Sequence, residues 1–152
     1  MANAEMIRPF VEREIAQLLG VPEVTRDADG DIPVVNGSSV TFVRVVDGPT
    51  GAMIRFISPV LKDVEASPEL LIHLNQLNAR TPYVRFYWSD GHVFCTMEIA
   101  GDEVQWQEIG NALAAVTGHA DHTDDLLQRD FGGTTMMSRE EAPKPGGVGG
   151  YL

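Results

Sequence analysis

Two histidines and an aspartate occur at three-residue intervals late in the chain. His119, His122 and Asp125 would share one side of a helix, where imidazole and carboxylate groups can bind zinc. No HExxH motif or cysteine pair accompanies them, and such a side of an acidic helix is more often solvated. We therefore expect no metal centre at these residues, and the sequence indicates no other cofactor.

Three aspartates alternate around a glycine in a second acidic segment. Asp27, Asp29 and Asp31 flank Gly30 in the manner of a calcium-binding loop. An EF-hand loop needs a glutamate at its twelfth position, and counting from Asp27 that position is Ser38. We interpret the segment as an acidic turn between short strands.

Cys95 is the only cysteine, so the chain forms no intramolecular disulfide and no cysteine-rich zinc site. On the strand predicted below it alternates inward, which indicates a core thiol rather than a nucleophile. GxSxG, P-loop and GxGxxG motifs are absent from the sequence, and the glycine pairs at 146–147 and 149–150 follow no predicted strand. The sequence thus predicts a protein that is not an enzyme.

The charge balance limits the classes of partner. With 11 Lys+Arg against 22 Asp+Glu, the net charge is −11. Such a surface repels phosphate backbones and anionic headgroups, so we expect neither nucleic acid nor membrane as a partner. A basic or apolar polypeptide segment fits better. The N-terminal residues lack the apolar run of a secretory signal, and we expect a cytoplasmic protein.

Periodicity predicts the elements that hold these residues. Apolar residues at helical spacing indicate a first helix that ends at Gly20, with Pro9 confined to its first turn. Three strands separated by turn residues predict an antiparallel meander over 32–57. Ser67, as N-cap before Pro68, predicts the start of a second helix. Its apolar stripe is predicted to comprise Leu70, Leu71, Leu74 and Leu77.

A hairpin and a long helix complete the predicted α+β fold. Asp90-Gly91 between alternating strands favours a two-residue turn, which fixes the register. The apolar face would pair Trp88 with Val93, Phe86 with Cys95, and Val84 with Met97. The other face would pair Tyr87 with Phe94, Arg85 with Thr96, and Tyr83 with Glu98, a mixture that suits an interface. The last helix is expected to be capped by Asp102, paired with Gln105, and to stop at Gly132.

Three segments carry a family resemblance. The run LIHLNQLN at 71–78, the aromatic strand YVRFY at 83–87, and the long helix ending in DFGG at 130–133 resemble the YbjN branch of the type III secretion chaperone superfamily. The resemblance covers about residues 5–133. It implies a homodimeric bacterial domain with a peptide-binding, chaperone or regulatory role and no catalytic residues. Residues 1–133 would then form the domain, and 134–152 a flexible Gly/Pro-rich tail.

The leading hypothesis is therefore a non-enzymatic, homodimeric module that binds a polypeptide client. The alternative is a regulatory or sensory adaptor that binds a folded partner in a signalling or stress pathway. The client would bind at a sheet edge or between helix and hairpin, where the tail residues Met136, Met137 and Tyr151 would lie in its absence. The residues expected to bind the partner are Leu74, Asn75, Asn78, Tyr83, Arg85, Tyr87 and Phe94. Asn75 and Asn78 have a second possible role, hydrogen bonding to helix ends or the neighbouring loop.

Overall fold

The protein was analysed as a computed structural model, which describes residues 2–137. In this part of the chain three helices and five strands follow the predicted order, and the α+β fold class is confirmed. No helix within it is long and apolar enough to cross a membrane. The elements are α1 (Ala4–Leu19), β1 (Ile32–Asn36), β2 (Ser39–Gly48), β3 (Gly51–Leu61), α2 (Pro68–Arg80), β4 (Arg85–Ser89), β5 (His92–Ala100) and α3 (Trp106–Phe131).

The five strands form one antiparallel sheet in the order β1-β2-β3-β5-β4. The hairpin register is confirmed where β4 exists, since Phe86 pairs with Cys95 and Tyr87 with Phe94. The pairs predicted for Tyr83 and Val84 are wrong. Tyr83 has a φ of 69°, which breaks the extended backbone before β4 begins.

α1 and α3 pack on one face of the sheet, and alternate strand residues point into the core between them. Phe56 and Ile54 are fully buried there. This burial follows from the period-2 alternation of β3, whose intervening residues are only half-buried. Within residues 2–137 the opposite face of the sheet carries no helix.

The N-terminus of α1 differs from the prediction. The Asn3 side chain accepts a hydrogen bond from the Met6 N–H, so the helix begins at Ala4. Pro9 therefore lies in the second turn rather than the first. Its missing N–H leaves the Glu5 carbonyl without its usual helical donor, and this is tolerated because both residues are exposed to water.

Of the two remaining helices, α2 begins with the predicted cap and α3 does not. Ser67 Oγ accepts from the Leu70 N–H at 3.1 Å, as the sequence predicted. The predicted cap of α3 at Asp102 is wrong, because Gln105 and Glu108 form the capping box. Asp102 instead accepts a hydrogen bond from the Ala2 N–H at 2.6 Å.

The first residues of the predicted tail contact the domain. Thr134 and Lys62 exchange two backbone hydrogen bonds of 2.8 and 2.9 Å. Met136 and Met137 are half-buried. The rest of the predicted tail, including Tyr151, lies outside the described residues.

Candidate functional site

The sheet face that points away from α1 and α3 is not covered by the described helices, and we call it the open face. Strand pairing aligns its side chains in rows across the sheet. One row runs from Phe42 through Ile57 and Thr96 to Arg85, and the next runs from Pro59 through Phe94 to Tyr87. An exposed sheet face of this composition is suited to contact with another polypeptide.

A charged row crosses the open face beside the apolar rows. The Arg44 guanidinium donates two hydrogen bonds of 2.7 Å to the Asp31 carboxylate. Glu98 Oε1 accepts from Arg55 at 2.8 Å and from Arg85 at 3.2 Å. Three arginines against two carboxylates leave one excess positive charge on this face, although the whole chain is strongly acidic.

An aromatic cluster occupies the hairpin end of the open face. The ring centroids of Tyr87 and Phe94 are 5.4 Å apart, and those of Phe94 and His92 are 5.8 Å apart. The Arg85 guanidinium carbon lies 5.9 Å from the centroid of the Tyr87 ring, within cation–π range. A depression of about 180 Å³ separates this cluster from Arg55. Its lining is mostly polar and charged, with Ile57 and Met97 as the aliphatic contribution.

The structure brings together only part of the predicted binding set. Arg85, Tyr87 and Phe94 are neighbours on the open face, because they alternate on paired strands. Tyr83 precedes β4 and is 82% exposed. It therefore lies beyond the rows of the sheet.

The three predicted residues of α2 have different environments. Leu74 is 3% exposed and packs in the chain's own core. Asn75 is exposed. Asn78 uses its amide on the adjacent strand, accepting from the Phe86 N–H at 2.7 Å and donating to the Phe86 carbonyl at 3.0 Å. Of the two roles considered for Asn78, the structure shows hydrogen bonding to a neighbouring segment of the chain.

The two hydrogen bonds between Asn78 and Phe86 also affect the outer edge of the sheet. β4 is an outer strand, and the N–H and C=O of Phe86 point away from β5. Asn78 accepts a hydrogen bond from this N–H and donates one to this carbonyl. An added strand would need the same two groups. The edge of β4 is therefore covered by α2 at this position.

The acidic segment that suggested calcium binding forms a turn closed by its own hydrogen bonds. Asp27 Oδ1 accepts from the N–H groups of Asp29 and Asp31, both at 2.9 Å, which closes the acidic turn on itself. Among residues 2–137, no cluster of three or more His, Cys, Asp or Glu side chains can hold a metal ion. Burial raises the pKa of the Cys95 thiol to about 12, so the nucleophilic thiolate is scarce at neutral pH.

Sequence reasoning missed several residues of the open face. Among them, Arg55 and Ile57 reach it through the pairing of β3 with β5, which are separated in sequence by α2 and β4. Glu98, which pairs with Arg55, was already placed on this face of the hairpin by the sequence. The alternation of Met53, Arg55 and Ile57 with buried neighbours was the available signal.

Known proteins share this architecture. Residues 5–139 match the family model described as the type III secretion (YopN, CesT) and YbjN peptide-binding chaperone 1. The chain belongs to this chaperone family. The match confirms the resemblance drawn from the sequence and the expectation of a non-enzymatic protein. No curated protein sequence matches the chain.

Three solved structures share the chaperone fold. The ExsC–ExsE complex aligns with a TM-score of 0.63 at 16% identity, over 84% of this chain and 97% of that chain. The HopA1–SchA chaperone–effector complex gives 0.59 at 6% identity, over 79% and 94%. The Yersinia pestis type III secretion chaperone SycH with a YscM2 fragment gives 0.54 at 14% identity, over 73% and 94%. At these identities the likeness establishes the fold alone.

Proposed function

We propose that this chaperone-family chain acts in the cytoplasm as a homodimer that binds a polypeptide client on its open face. The observation that carries the proposal is the Tyr87–Phe94 cluster beside the ion pairs of Glu98 with Arg55 and Arg85. Aromatic and arginine side chains are the residue types that dominate binding energy at interfaces. Family membership supports a peptide as the ligand.

The chemistry of the open face indicates the kind of client segment. Phe42, Ile57 and Pro59 provide an apolar surface for the apolar side chains of an extended segment. The arginines of this face would donate hydrogen bonds to carbonyl groups of the client backbone or to a carboxylate, since Arg85 is 59% exposed. The covered edge at Phe86 favours contact across this face over strand addition to β4.

A second surface supports the homodimer. Leu71 and Ile72 on α2 are 47% and 59% exposed, although both are large apolar residues. Asn75 lies one turn further along the same side of α2, as helical spacing requires. An exposed patch of this kind on α2 suits contact with a second copy of the chain.

The chaperone role is tested by light scattering from a thermally unfolded reporter enzyme. The wild-type protein should suppress aggregation at near-stoichiometric amounts, and Tyr87→Ala should suppress it less. Trp106→Ala is the matched control, since Trp106 is an exposed aromatic residue (56%) at the start of α3, outside the open face. If none of the proteins suppresses aggregation while a folded partner binds, the adaptor function replaces the chaperone.

The dimer is tested separately by sedimentation velocity. Ile72→Glu should convert the dimer to a folded monomer, because it puts a charge into the proposed apolar contact. Met6→Glu is the control, since Met6 is equally exposed on α1. A wild-type monomer at micromolar concentration would contradict the proposed dimer. It would leave the proposal of client binding on the open face unaffected.

A further inference from the structure

A groove of about 420 Å³ separates α2 from the second half of α3, and we call it the α2–α3 groove. It lies on the helical side of the sheet, away from the open face. Six polar residues that can carry charge line it: His73, Arg80, His119, His122, Arg129 and Asp130. Three of the four histidines of the protein are therefore gathered at one surface.

The groove has an excess of basic groups on an acidic protein. The chain has 22 Asp+Glu against 11 Lys+Arg, yet only one carboxylate, Asp130, lines the groove. That carboxylate is hydrogen-bonded to the adjacent Arg129 at 3.1 Å. Within residues 2–137 the Arg80 guanidinium has neither an ion pair nor a hydrogen bond. An unpaired arginine beside three imidazoles is complementary to an anionic ligand.

The spacing of these groups indicates the shape of that ligand. At 1.5 Å per residue, His73 and Arg80 are about 10 Å apart along α2, and His119 and Arg129 about 15 Å apart along α3. The donors are thus spread along the groove rather than directed at one point. Leu77 is buried beneath them, and Leu126 is 41% exposed at the wall. A ligand with several carboxylates and an apolar side chain would match, whereas a single phosphate would not.

We propose that the α2–α3 groove binds an acidic polypeptide segment that carries glutamate or aspartate on both sides of an apolar residue. The guanidinium groups of Arg80 and Arg129 attract the carboxylates, and the N–H groups of the three imidazole rings can donate hydrogen bonds to them. Leu77 and Leu126 contact the apolar side chain. This site is separate from the open face, and neither requires the other.

The test is fluorescence anisotropy of a labelled peptide in which pairs of glutamates alternate with single leucines, titrated with the full chain at low salt. A peptide with glutamine at every glutamate position is the ligand control. Arg80→Gln should weaken glutamate-peptide binding about fivefold, as loss of one partly exposed charge pair does. Arg13→Gln, which removes an exposed arginine from α1, should leave it unchanged.

Each possible result either supports or contradicts the proposed site for an acidic segment. Binding of the glutamate peptide over the glutamine peptide, weakened by Arg80→Gln and more so by Arg80→Gln with Arg129→Gln, supports the acidic-segment site. Equal effects of Arg80→Gln and Arg13→Gln would mean a general charge effect and would overturn it. Inorganic phosphate displacing the peptide at micromolar concentration would assign the groove to a small anion instead. Client binding by Tyr87→Ala is a separate readout, so failure at one site leaves the other proposal intact.

Discussion

The Asn78 side chain holds the backbone of Phe86 by two hydrogen bonds, one to its N–H at 2.7 Å and one from its amide to the carbonyl at 3.0 Å. One amide thereby replaces the neighbour that an outer strand lacks. The contact fixes α2 against β4 and sets the hairpin at its position beside the helix. The proposed dimer contact and the α2–α3 groove both contain residues of α2, so both depend on this attachment.

Replacement of Asn78 by alanine should destabilise the protein by about 1–2 kcal/mol, since it leaves two partly buried backbone groups without their partner. Urea unfolding followed by far-UV circular dichroism measures the effect. Asn111→Ala is the control, because Asn111 is exposed on α3 and lies outside the proposed surfaces. Equal stability of the two variants would show that the Asn78 pair contributes nothing measurable.

Ser38 links the β1–β2 turn to α3 through two carboxyl groups. Its Oγ lies 2.8 Å from Asp121 Oδ1 and 2.5 Å from Asp124 Oδ2. The hydroxyl has one proton, which it can donate to either carboxylate or share between the two. Burial raises the pKa of Asp124. The hydrogen bond that Ser38 donates to Asp124 opposes this shift, so desolvation is the larger of the two effects.

This arrangement predicts a pH dependence of stability. A folded-state pKa above the unfolded value stabilises the protein below the unfolded value, and the contribution is lost as pH rises through the folded-state pKa. Asn does not titrate and can still hydrogen-bond with Ser38. Asp124→Asn should therefore gain stability relative to wild type between pH 4 and pH 8. Asp130→Asn, on the exposed surface of α3, is the control. A difference in stability between wild type and Asp124→Asn that stays constant with pH would contradict a raised pKa for Asp124.

Two glycines predict opposite effects of the same substitution. Gly118 is exposed inside α3, and no atom lies within 4 Å of the position that an added methyl group would occupy, so Gly118→Ala should stabilise by about 0.5–1 kcal/mol. Gly37 has a φ of 58°, and its added methyl would meet the Asp121 carboxylate. Gly37→Ala should destabilise by about 1–2 kcal/mol. Thermal unfolding of both variants measures this, and a stabilising Gly37→Ala would be incompatible with the geometry of the β1–β2 turn.

Cys95 should be unreactive in the folded protein. It is fully buried, and burial raises its pKa to about 12, so both access and thiolate are lacking at pH 8. A chromogenic disulfide reagent should titrate no thiol in native buffer and one thiol in strong denaturant. Rapid reaction in native buffer would contradict the core position.

Local chemistry made much of the fold predictable. The Asp90-Gly91 turn set the hairpin register, and Ser67-Pro68 set the start of α2, because each depends on neighbouring residues alone. The positive φ of Tyr83 and the cap at Gln105 depend on how the chain packs, and the sequence prediction was wrong at both. The residues of the candidate site show the same difference between local and long-range determinants.

Alternation placed Arg85, Tyr87 and Phe94 on one face of the hairpin. Nothing local in the sequence joins Arg55 to Glu98, since that pair requires β3 and β5 to be neighbours. Leu74 was predicted to bind the partner, but it is buried in the core. An apolar residue at helical spacing fits a core and an interface equally, and only the packing of the folded chain distinguishes them.

The most direct test of client binding on the open face is site-specific photo-crosslinking in a native lysate. Ile57, on the open face, and Trp106, outside it, are each replaced by a photoreactive phenylalanine derivative, and the products are identified by mass spectrometry. We expect one or a few polypeptides crosslinked from position 57, absent from position 106, and lost when Tyr87→Ala is added. Products from position 106 alone, or products from position 57 that Tyr87→Ala leaves unchanged, would contradict the account.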